Sequence, residues 1–297
     1  MQLSRKESEL ETLQTATEQF ETYRPLLLGL AYRLLGSMWD AEDVVQDAYL
    51  RWTGTDRTDI REPRAFLITV VSRLALDQLR SARVTREAYT GPWLPEPVAT
   101  EALGPLDTAE LRDTVAYATI HLMERLSPPE RAVFVLREAF DLPYDEIARI
   151  LDTTLANCRQ MHHRAGRHLA AGRGRFPLAE DDHAELLARF LQAARSGDLT
   201  ALTDVLTEDV VAWNDGGGKV RAALRPIEGR ERVIAFIAGL IARYPFGPSR
   251  IVDANGGPAL ALTVDGVEQI VTIAVRDGRI DGIYAVLNPD KLGHVGA

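Results

Sequence analysis

Apolar residues in the first part of the chain recur every three or four positions, which predicts amphipathic helices. The patterns span residues 20–35, 39–52, 63–82, 106–126 and 128–140. The third of these is apolar on most sides, so we expect it at the centre of a helical bundle. Pro25 is expected in the first turn of its helix, where its missing N–H costs little, and Asp40 is expected to cap the next helix.

Residues 144–169 predict two helices joined by a short turn. Asp152 interrupts the first apolar pattern, and the hydroxyl of Thr153 or Thr154 is suited to cap the second helix. One face of that helix is apolar, with Cys158, Met161, Ala165 and Leu169. Between Asp152 and Glu180 the chain has five arginines and no acid, although its net charge is −9. The pattern favours a helix-turn-helix that enters a DNA major groove over a hairpin with a solvated basic face.

Residues 88–108 contain four prolines, which predicts an extended or turned linker. Trp93 and Leu94 lie inside this segment. Because large apolar groups are costly to leave in water, we expect both side chains to dock on another part of the molecule.

The pattern changes after about residue 178. Helices over 182–195 and 200–206 are followed by a strand, a glycine turn and a second strand in the sequence TEDVVAWNDGGGKV (207–220). A helix over 229–244 then precedes four short strands with Asp-Gly turns at 265–266 and 277–278. Helices followed by a meander of strands are typical of an α+β domain.

Composition narrows the classes of function. The single cysteine excludes an internal disulfide and fits a reducing cytoplasm. No apolar run approaches the roughly 18 residues of a membrane span, and the acidic, polar start has no signal core. A chain of net charge −9 is not a general polyanion binder, so contacts with nucleic acid need local basic patches and help from a larger partner.

Three ordered stretches resemble the extracytoplasmic-function (ECF) sigma factors. DAEDVVQDAYLRW (40–52) resembles region 2.2, which grips the β′ clamp helices of core RNA polymerase. PRAFLITVVSRLALDQLRSAR (63–83) resembles regions 2.3 and 2.4, which melt and read the −10 promoter element. Residues 124–169 resemble region 4, whose second hairpin helix reads the −35 element.

The resemblance implies a role for three sets of residues. The polymerase contact is assigned to Asp40, Glu42, Asp43, Gln46 and Asp47. The −10 contacts are assigned to Phe66, Arg73, Asp77, Arg80 and Arg83. The −35 contacts are assigned to Thr154, Asn157, Arg159, Gln160, His163, Arg164 and Arg167.

The remainder resembles a SnoaL-like domain, the cone-shaped α+β fold of ketosteroid isomerase and polyketide cyclases, which a SigJ-type subgroup of sigma factors carries as a fusion. Three motifs match: WLPEP (93–97), DGGGK (215–219) and NPDKL (288–292). The resemblance implies a regulatory contact between domains at Trp93, Leu94, Pro95, Asp215, Gly216, Gly217, Gly218, Lys219, Asn288, Pro289, Asp290, Lys291 and Leu292. The glycines beside Asp215 would also let an anion approach, with Lys219 supplying charge.

The predicted fold is therefore two all-α sigma domains, a region 2 bundle and a region 4 helix-turn-helix, followed by an α+β SnoaL-like cone-shaped barrel. The expected boundaries are 1–87, a linker over 88–108, 109–174 and 178–297.

The predicted function is a sigma factor that binds core RNA polymerase and promoter DNA, with its fused domain in place of a separate anti-sigma factor. No acid/base pair can be assigned, so no enzyme, metal or cofactor is predicted, although the hollow fold leaves room for a small-molecule ligand. The alternative is a helix-turn-helix activator with a ligand-sensing or cyclase-like domain.

Overall fold

The computed structural model describes residues 2–104, 109–170 and 180–295. Its helices are α1 (Gln2–Leu35), α2 (Met38–Gly54), α3 (Pro63–Glu87), α4 (Ala109–Val115), α5 (Tyr117–Met123), α6 (Pro128–Glu138), α7 (Tyr144–Ile150), α8 (Leu155–Ala170), α9 (Glu180–Ser196), α10 (Leu199–Val205) and α11 (Arg230–Arg243). Its strands are β1 (Leu206–Asp215), β2 (Ile227–Glu228), β3 (Phe246–Ala254), β4 (Gly257–Val264), β5 (Val267–Arg276) and β6 (Arg279–Val286). The predicted order of helices and then an α+β domain is confirmed.

Two compact units divide the chain, and each is built from separated segments. The first unit contains Met1–Ala82, Glu101–Leu111 and Leu126–Gly166. The second unit contains Arg83–Thr100, Arg112–Arg125 and Arg167–Ala297. Most of the linker thus groups with the α+β part, and the predicted boundary at 174–178 lies outside the described residues.

The first unit is organised around α1 and α2, which pack along each other. Phe20, Leu27 and Leu30 are fully buried at helical spacing, as the apolar pattern predicts. Trp52, near the end of α2, is also buried, and its Nε1 donates to the carbonyl oxygen of Ala16 at 2.9 Å. A deeply placed indole with a satisfied N–H fixes the register of the two helices.

Two expectations about helix starts are wrong. Pro25 lies inside α1, because the helix continues upstream through polar residues that an apolar pattern does not mark. Ser37, and not Asp40, caps α2: its hydroxyl accepts from the backbone N–H of Asp40 at 3.2 Å. A capping oxygen must precede the first turn, and Asp40 already lies within it.

The predicted helix-turn-helix is present as α7, a turn and α8. Asp152 adopts a left-handed conformation in the turn, with φ = 50°. The hydroxyl of Thr154 caps α8 by accepting from the N–H of Asn157 at 3.2 Å. The predicted apolar face of α8 is buried, with Cys158, Met161, Ala165 and Leu169 at 7% exposure or less.

The second unit contains one six-stranded sheet in the order β2-β1-β6-β5-β4-β3. Strands β3 to β6 form the predicted antiparallel meander, whereas β1 runs parallel to β6. The strand expected directly after the glycine turn is absent; the short β2 pairs with β1 only at Ile227 and Glu228. The glycines instead close a tight turn, in which N–H groups of Lys219 and Val220 donate to the carbonyl oxygen of Gly216.

The two faces of this sheet carry different partners. Helices α9, α10 and α11 cover one face and enclose the larger core, which includes Leu187, Val233 and Ile283. The opposite face, which we call the linker face, packs against Leu94 of the linker and Tyr117 of α5. Side chains alternate along a strand, so neighbouring residues of β1 and β6 serve different faces.

Candidate polymerase, promoter and linker-docking sites

Asp43, Gln46 and Asp47 are exposed on one side of α2. The opposite side of the helix is buried, so this polar side is available to a partner. Glu42 is half-buried at the margin. Asp40 is also half-buried, and its Oδ1 accepts from Nε2 of Gln78 at 3.3 Å.

Two exposed apolar residues flank this acidic patch. Trp39 is 53% exposed and Leu50 is 58% exposed, and their spacing places them on the same side of α2 as Asp43. The sequence analysis missed them. The signal was available, since large apolar residues at positions that a helical pattern assigns to solvent are typical of interaction sites.

The proposed −10 residues lie along α3. Arg73, Asp77 and Arg80 are exposed on one side, and Arg80 forms an ion pair with Asp77 at 3.2 Å. Phe66 is half-buried and its ring centroid lies 5.9 Å from that of Trp52. The side chain of Arg83 lies outside the described residues.

Arg73 also joins α3 to α7 within the first unit. Its Nε donates to the carbonyl oxygen of Ile150 at 3.1 Å, and its Nη2 donates to that of Arg149 at 3.1 Å. These carbonyls belong to the last turn of α7, where free acceptors attract a cation.

Among the proposed −35 residues, Arg159, Gln160, His163 and Arg167 are exposed on α8. Arg164 is partly engaged, with Nε 3.6 Å from the carboxylate of Glu130. Asn157 donates from Nδ2 to the hydroxyl of Thr153 at 2.9 Å, so this amide and the capping Thr154 serve the helix start. The remaining four side chains form a basic and polar surface of the kind that base edges and phosphates bind.

The linker docks through Asp215, whose carboxylate is fully buried at the end of β1. Oδ2 accepts from the backbone N–H of Leu94 at 2.9 Å, and Oδ1 accepts from the hydroxyl of Tyr89 at 2.5 Å. The N–H of Gly217 donates to Oδ1 at 3.1 Å. Both carboxylate oxygens of Asp215 are thus engaged in hydrogen bonds from Tyr89, Leu94 and Gly217.

Lys291 supplies the counter-charge for Asp215. Its Nζ lies 2.8 Å from Oδ2 of Asp215 and donates to the carbonyl oxygen of Leu94 at 2.6 Å. The ammonium also lies 3.2 Å from the ring centroid of Trp93. Burial lowers the pKa of Lys291, while the charge of Asp215 acts in the opposite direction.

The sequence interpretation of the glycine loop needs correction. Lys219 was expected to offer charge to a bound anion, but it is exposed and forms an ion pair with Asp290. The anion held by the loop is the carboxylate of Asp215 itself. The cation comes from Lys291, at the end of the 3-10 turn that follows β6.

Gly217 adopts φ = 59°, and a Cβ at this position would collide with the amide of Asn288. That amide donates from Nδ2 to the Tyr89 hydroxyl at 2.9 Å. Gly216 is buried and Gly218 is exposed with φ = 72°. The loop therefore needs glycine both for conformation and for the close approach of the 288–292 segment.

The other predicted motif residues surround this site, which we call the linker latch (Leu94, Asp215 and Lys291). The carbonyl oxygen of Pro95 accepts from the Tyr117 hydroxyl at 2.6 Å. Leu292 packs against the cluster that contains Leu94, and Pro289 begins a short 3-10 turn after Asn288.

A second set of linker contacts was missed. Asn255, in the turn between β3 and β4, accepts at Oδ1 from the N–H of Val98 at 3.0 Å. Its Nδ2 donates to the carbonyl oxygen of Val115 at 3.2 Å, and Thr100 donates to Asp253 at 2.6 Å. Asn255 adopts a left-handed turn conformation with φ = 55°. The sequence indicates a turn at this residue but gives no sign of its hydrogen-bond partners.

Comparisons with known proteins follow this division of the chain. Residues 19–85 match the family Sigma-70 region 2, and residues 118–169 match Sigma-70, region 4. The ECF RNA polymerase sigma factor SigJ of Mycobacterium tuberculosis is 40% identical over 287 residues, which covers 92% of each chain. The chain belongs to the ECF RNA polymerase sigma factors. This sigma factor is also 32% identical over 279 residues to the probable ECF sigma factor SigI of the same organism, with 92% of this chain and 93% of that one covered.

The crystal structure of SigJ from M. tuberculosis has the same fold. It superposes with a TM-score of 0.76 at 38% identity and covers 93% of this sigma factor and 97% of its own chain. The likeness therefore extends across the α+β region and is not confined to the two helical regions.

Family membership excludes the alternative of a helix-turn-helix activator. This sigma factor binds core RNA polymerase and promoter DNA and acts in transcription initiation, not as an enzyme. In the part of the chain that the structure describes, no helix is long and apolar enough to cross a membrane.

Proposed function

We propose that this sigma factor contacts the polymerase through α2, reads the promoter through α3 and α8, and is restrained by docking of its linker on the α+β sheet. It does so in the cytoplasm, where the polymerase acts. The observation that carries the regulatory part is the linker latch, in which one buried carboxylate and one buried ammonium bind the backbone of Leu94 from both sides.

The polymerase contact is assigned to the β′ clamp helices. Support comes from the exposed acidic patch of Asp43, Gln46 and Asp47, which suits a basic partner surface. Trp39 and Leu50 extend this patch with apolar area that a partner would cover. Asp40 and Glu42, both half-buried, are assigned to its edge.

The promoter contacts are divided between two helices. Arg73, Asp77 and Arg80 on α3, together with Phe66 and Arg83, are assigned to the −10 element. On α8, Arg159, Gln160 and His163 are assigned to −35 bases, with Arg164 and Arg167 on phosphates and Thr154 and Asn157 at the helix start. Support comes from the exposure of Arg73 and Arg80 on α3 and of Arg159, Arg164 and Arg167 on α8.

Docking limits how far the two helices can separate. The −10 and −35 contacts are assigned to separate promoter elements, so α3 and α8 must move apart along B-form DNA, in which one helical turn spans about 34–36 Å. An extended chain spans at most about 3.3–3.6 Å per residue, so each linker residue held on the sheet shortens the available reach. Release of residues 89–100 from the sheet is therefore expected to favour initiation, and their docking to oppose it.

Run-off transcription by core polymerase with the full-length chain tests the restraint. The template carries a promoter that the wild-type holoenzyme has selected from a randomised library. We expect Lys291→Met to raise the yield several-fold, because an unpaired carboxylate weakens the latch. Lys219→Met is the matched control, since that lysine is exposed and pairs at the surface with Asp290. Equal yields from the wild type and Lys291→Met, with both chains folded by circular dichroism, would contradict the restraint and leave the polymerase and promoter contacts standing.

A further inference from the structure

A cavity of about 370 Å³ lies on the linker face of the sheet, apart from the face that α9 to α11 cover. Three of its nine lining residues carry aromatic rings: Trp93 from the linker, His121 from α5 and Trp213 from β1. The Trp213 ring stacks on Tyr284, with centroids 4.9 Å apart and planes inclined by 8°. The His121 ring meets Trp213 edge-on at 5.2 Å. The orientation of the Trp213 ring in the cavity is therefore fixed by its contacts with Tyr284 and His121.

The rim of the cavity is apolar and exposed to water. Leu224 is 66% exposed, the largest exposed fraction among the large hydrophobic residues of the described chain. Pro226 lies beside it at the same opening. A molecule seated in the cavity would cover this surface, which otherwise remains hydrated at a cost in free energy.

Three buried polar atoms of the cavity residues lack a hydrogen-bond partner within the described residues. They are Nε1 of Trp93 and both ring nitrogens of His121. Burial, followed by the nearby charge of Arg125, lowers the pKa of His121 to about 4. The ring is therefore neutral near pH 7 and offers one donor and one acceptor, while the Trp93 indole offers a second donor.

Two charged residues line the cavity, Glu124 and Arg125, and neither places a buried charge where a ligand could pair with it. Glu124 forms an ion pair with Arg86, and Arg125 is exposed. An ionic ligand would have to leave water without a buried counter-charge, which is strongly unfavourable. A neutral ligand with one oxygen can bond to the Trp93 N–H and to one of the two His121 nitrogens without that cost.

From these observations we infer that the cavity binds a planar, uncharged aromatic compound of two or three fused rings that carries a hydroxyl or carbonyl oxygen. The rings lie against Trp213, since the Lys291 ammonium and the Arg86 guanidinium already lie over the Trp93 ring, and the oxygen bonds to His121 and to the Trp93 N–H. The volume is at the lower end of the roughly 300–1,000 Å³ found for small-molecule sites, which sets the limit on ring number.

The ligand would touch the docked linker directly, because Trp93 is next to Leu94 of the linker latch. Binding to the docked state alone would stabilise docking by an amount that grows with the logarithm of ligand concentration above Kd. This effect on initiation rests on the proposed restraint by the linker, whereas binding itself does not.

Binding is tested on the full-length chain labelled with [15N]tryptophan, using 2-naphthol as the probe. The chain has four tryptophans, so its indole spectrum resolves Trp93 and Trp213 from two internal controls. The Trp52 indole N–H donates to the carbonyl oxygen of Ala16, and Trp39 lies on the exposed side of α2. We expect saturable shifts of the Trp93 and Trp213 signals and none of the other two. Shifts of all four signals, or none up to millimolar probe, would overturn the inference.

Matched probes and variants test the chemistry of recognition. Naphthalene, which lacks the oxygen, should bind about tenfold more weakly than 2-naphthol, the value of roughly one hydrogen bond. His121→Phe keeps the aromatic wall and should abolish this preference, and Leu224→Ala at the exposed rim should weaken both probes. Tighter binding of anionic 2-naphthoate would overturn the assignment to an uncharged ligand. An unchanged preference in His121→Phe, with Leu224→Ala also without effect, would place the probe elsewhere.

Run-off transcription separates this inference from the proposed function. Saturating 2-naphthol should lower the yield of the wild type and have little effect on Lys291→Met. Binding by NMR without an effect on transcription would refute the restraint by the linker and leave the binding site intact.

Discussion

The guanidinium of Arg73 binds the carbonyl oxygen of Ile150, so a residue assigned to the −10 element holds the helix that precedes the −35 reader. A second hydrogen bond of 3.1 Å joins Nη2 of Arg73 to the carbonyl oxygen of Arg149. Under the proposed assignment of α3 and α8 to separate promoter elements, both hydrogen bonds would break when the two helices move apart.

Arg73→Ala is expected to loosen the packing of α3 on α7. Two charge-assisted hydrogen bonds of an exposed side chain contribute about 1–2 kcal/mol together. Fluorescence energy transfer between dyes at Arg64→Cys and Asp145→Cys, in a Cys158→Ser background, should fall in the free protein. Arg80→Ala is the control, because it lies on the same side of α3 and pairs only with Asp77 among the contacts described. Equal transfer in both variants and the parent would show that Arg73 does not hold α7.

Lys291→Met is expected to destabilise the second unit by about 3–5 kcal/mol, the usual cost of removing one partner from a buried ion pair. The lysine and Asp215 side chains are 5% and 0% exposed, so the remaining carboxylate would stay buried without its counter-charge. Urea unfolding followed by circular dichroism measures the loss.

Two companion variants make this measurement specific. Asp215→Asn combined with Lys291→Met should be less destabilised than the sum of the single changes, since no unpaired charge remains. Lys219→Met should change the free energy of unfolding by 1 kcal/mol or less, as expected for a surface pair. Additive effects of Asp215→Asn and Lys291→Met would mean that the two side chains do not interact.

His121 makes the stability of the second unit depend on pH. Its pKa is lowered from 6.5 to about 4 in the folded chain, chiefly by burial, so the unfolded chain binds more protons between these values. The contribution is complete above about pH 6.5 and is lost as the pH falls to 4, by about 3 kcal/mol at pH 4. His121→Phe should lose less stability than the wild type over this range. Parallel pH profiles of the two chains in urea unfolding would rule the titration out.

Asp43→Arg should weaken binding to core polymerase, because like charges brought together in an interface cost several kcal/mol. Leu50→Ala should weaken it less, through lost apolar contact. Glu268→Arg, an equal change of charge at an exposed residue of β5, is the control. Unaltered affinity of Asp43→Arg in a fluorescence-anisotropy titration would remove α2 from the interface.

Arg159→Ala and Arg167→Ala should differ in their effect on −35 variants. Loss of a base contact at Arg159 should cost about 1–3 kcal/mol and relax sequence preference. Loss of a phosphate contact at Arg167 should weaken all sequences alike and reduce the salt slope by about one. Filter binding of holoenzyme to a panel of −35 variants distinguishes the two, and equal losses on every variant for both changes would contradict the division.

Local patterns predicted the helical regions well because helical periodicity and capping involve neighbours in sequence. The buried face of α8, with Cys158 and Met161, follows from spacing alone. The linker latch does not, because it joins residues far apart in sequence. Lys219 and Lys291 both lie in recognisable motifs, and only the position of the 288–292 segment against β1 decides which lysine is buried.

Asn255 and Arg73 illustrate the same limit. Each side chain forms hydrogen bonds with backbone atoms of residues more than 70 positions away. Every residue except proline offers the same backbone groups, so the residue types in the sequence do not identify such partners. The exposed Trp39 and Leu50 are a different case, since their place on the polar side of α2 is readable from the sequence and was overlooked.

The linker latch also orders events during synthesis of the chain. Leu94 leaves the ribosome 197 residues before Lys291, the residue that completes its site. At roughly 5–20 residues per second, the linker waits about 10–40 s for its partner. Once α8 is complete at Ala170, the two regions assigned to the promoter exist without the proposed restraint until Lys291 emerges, so each newly made molecule passes through an undocked period.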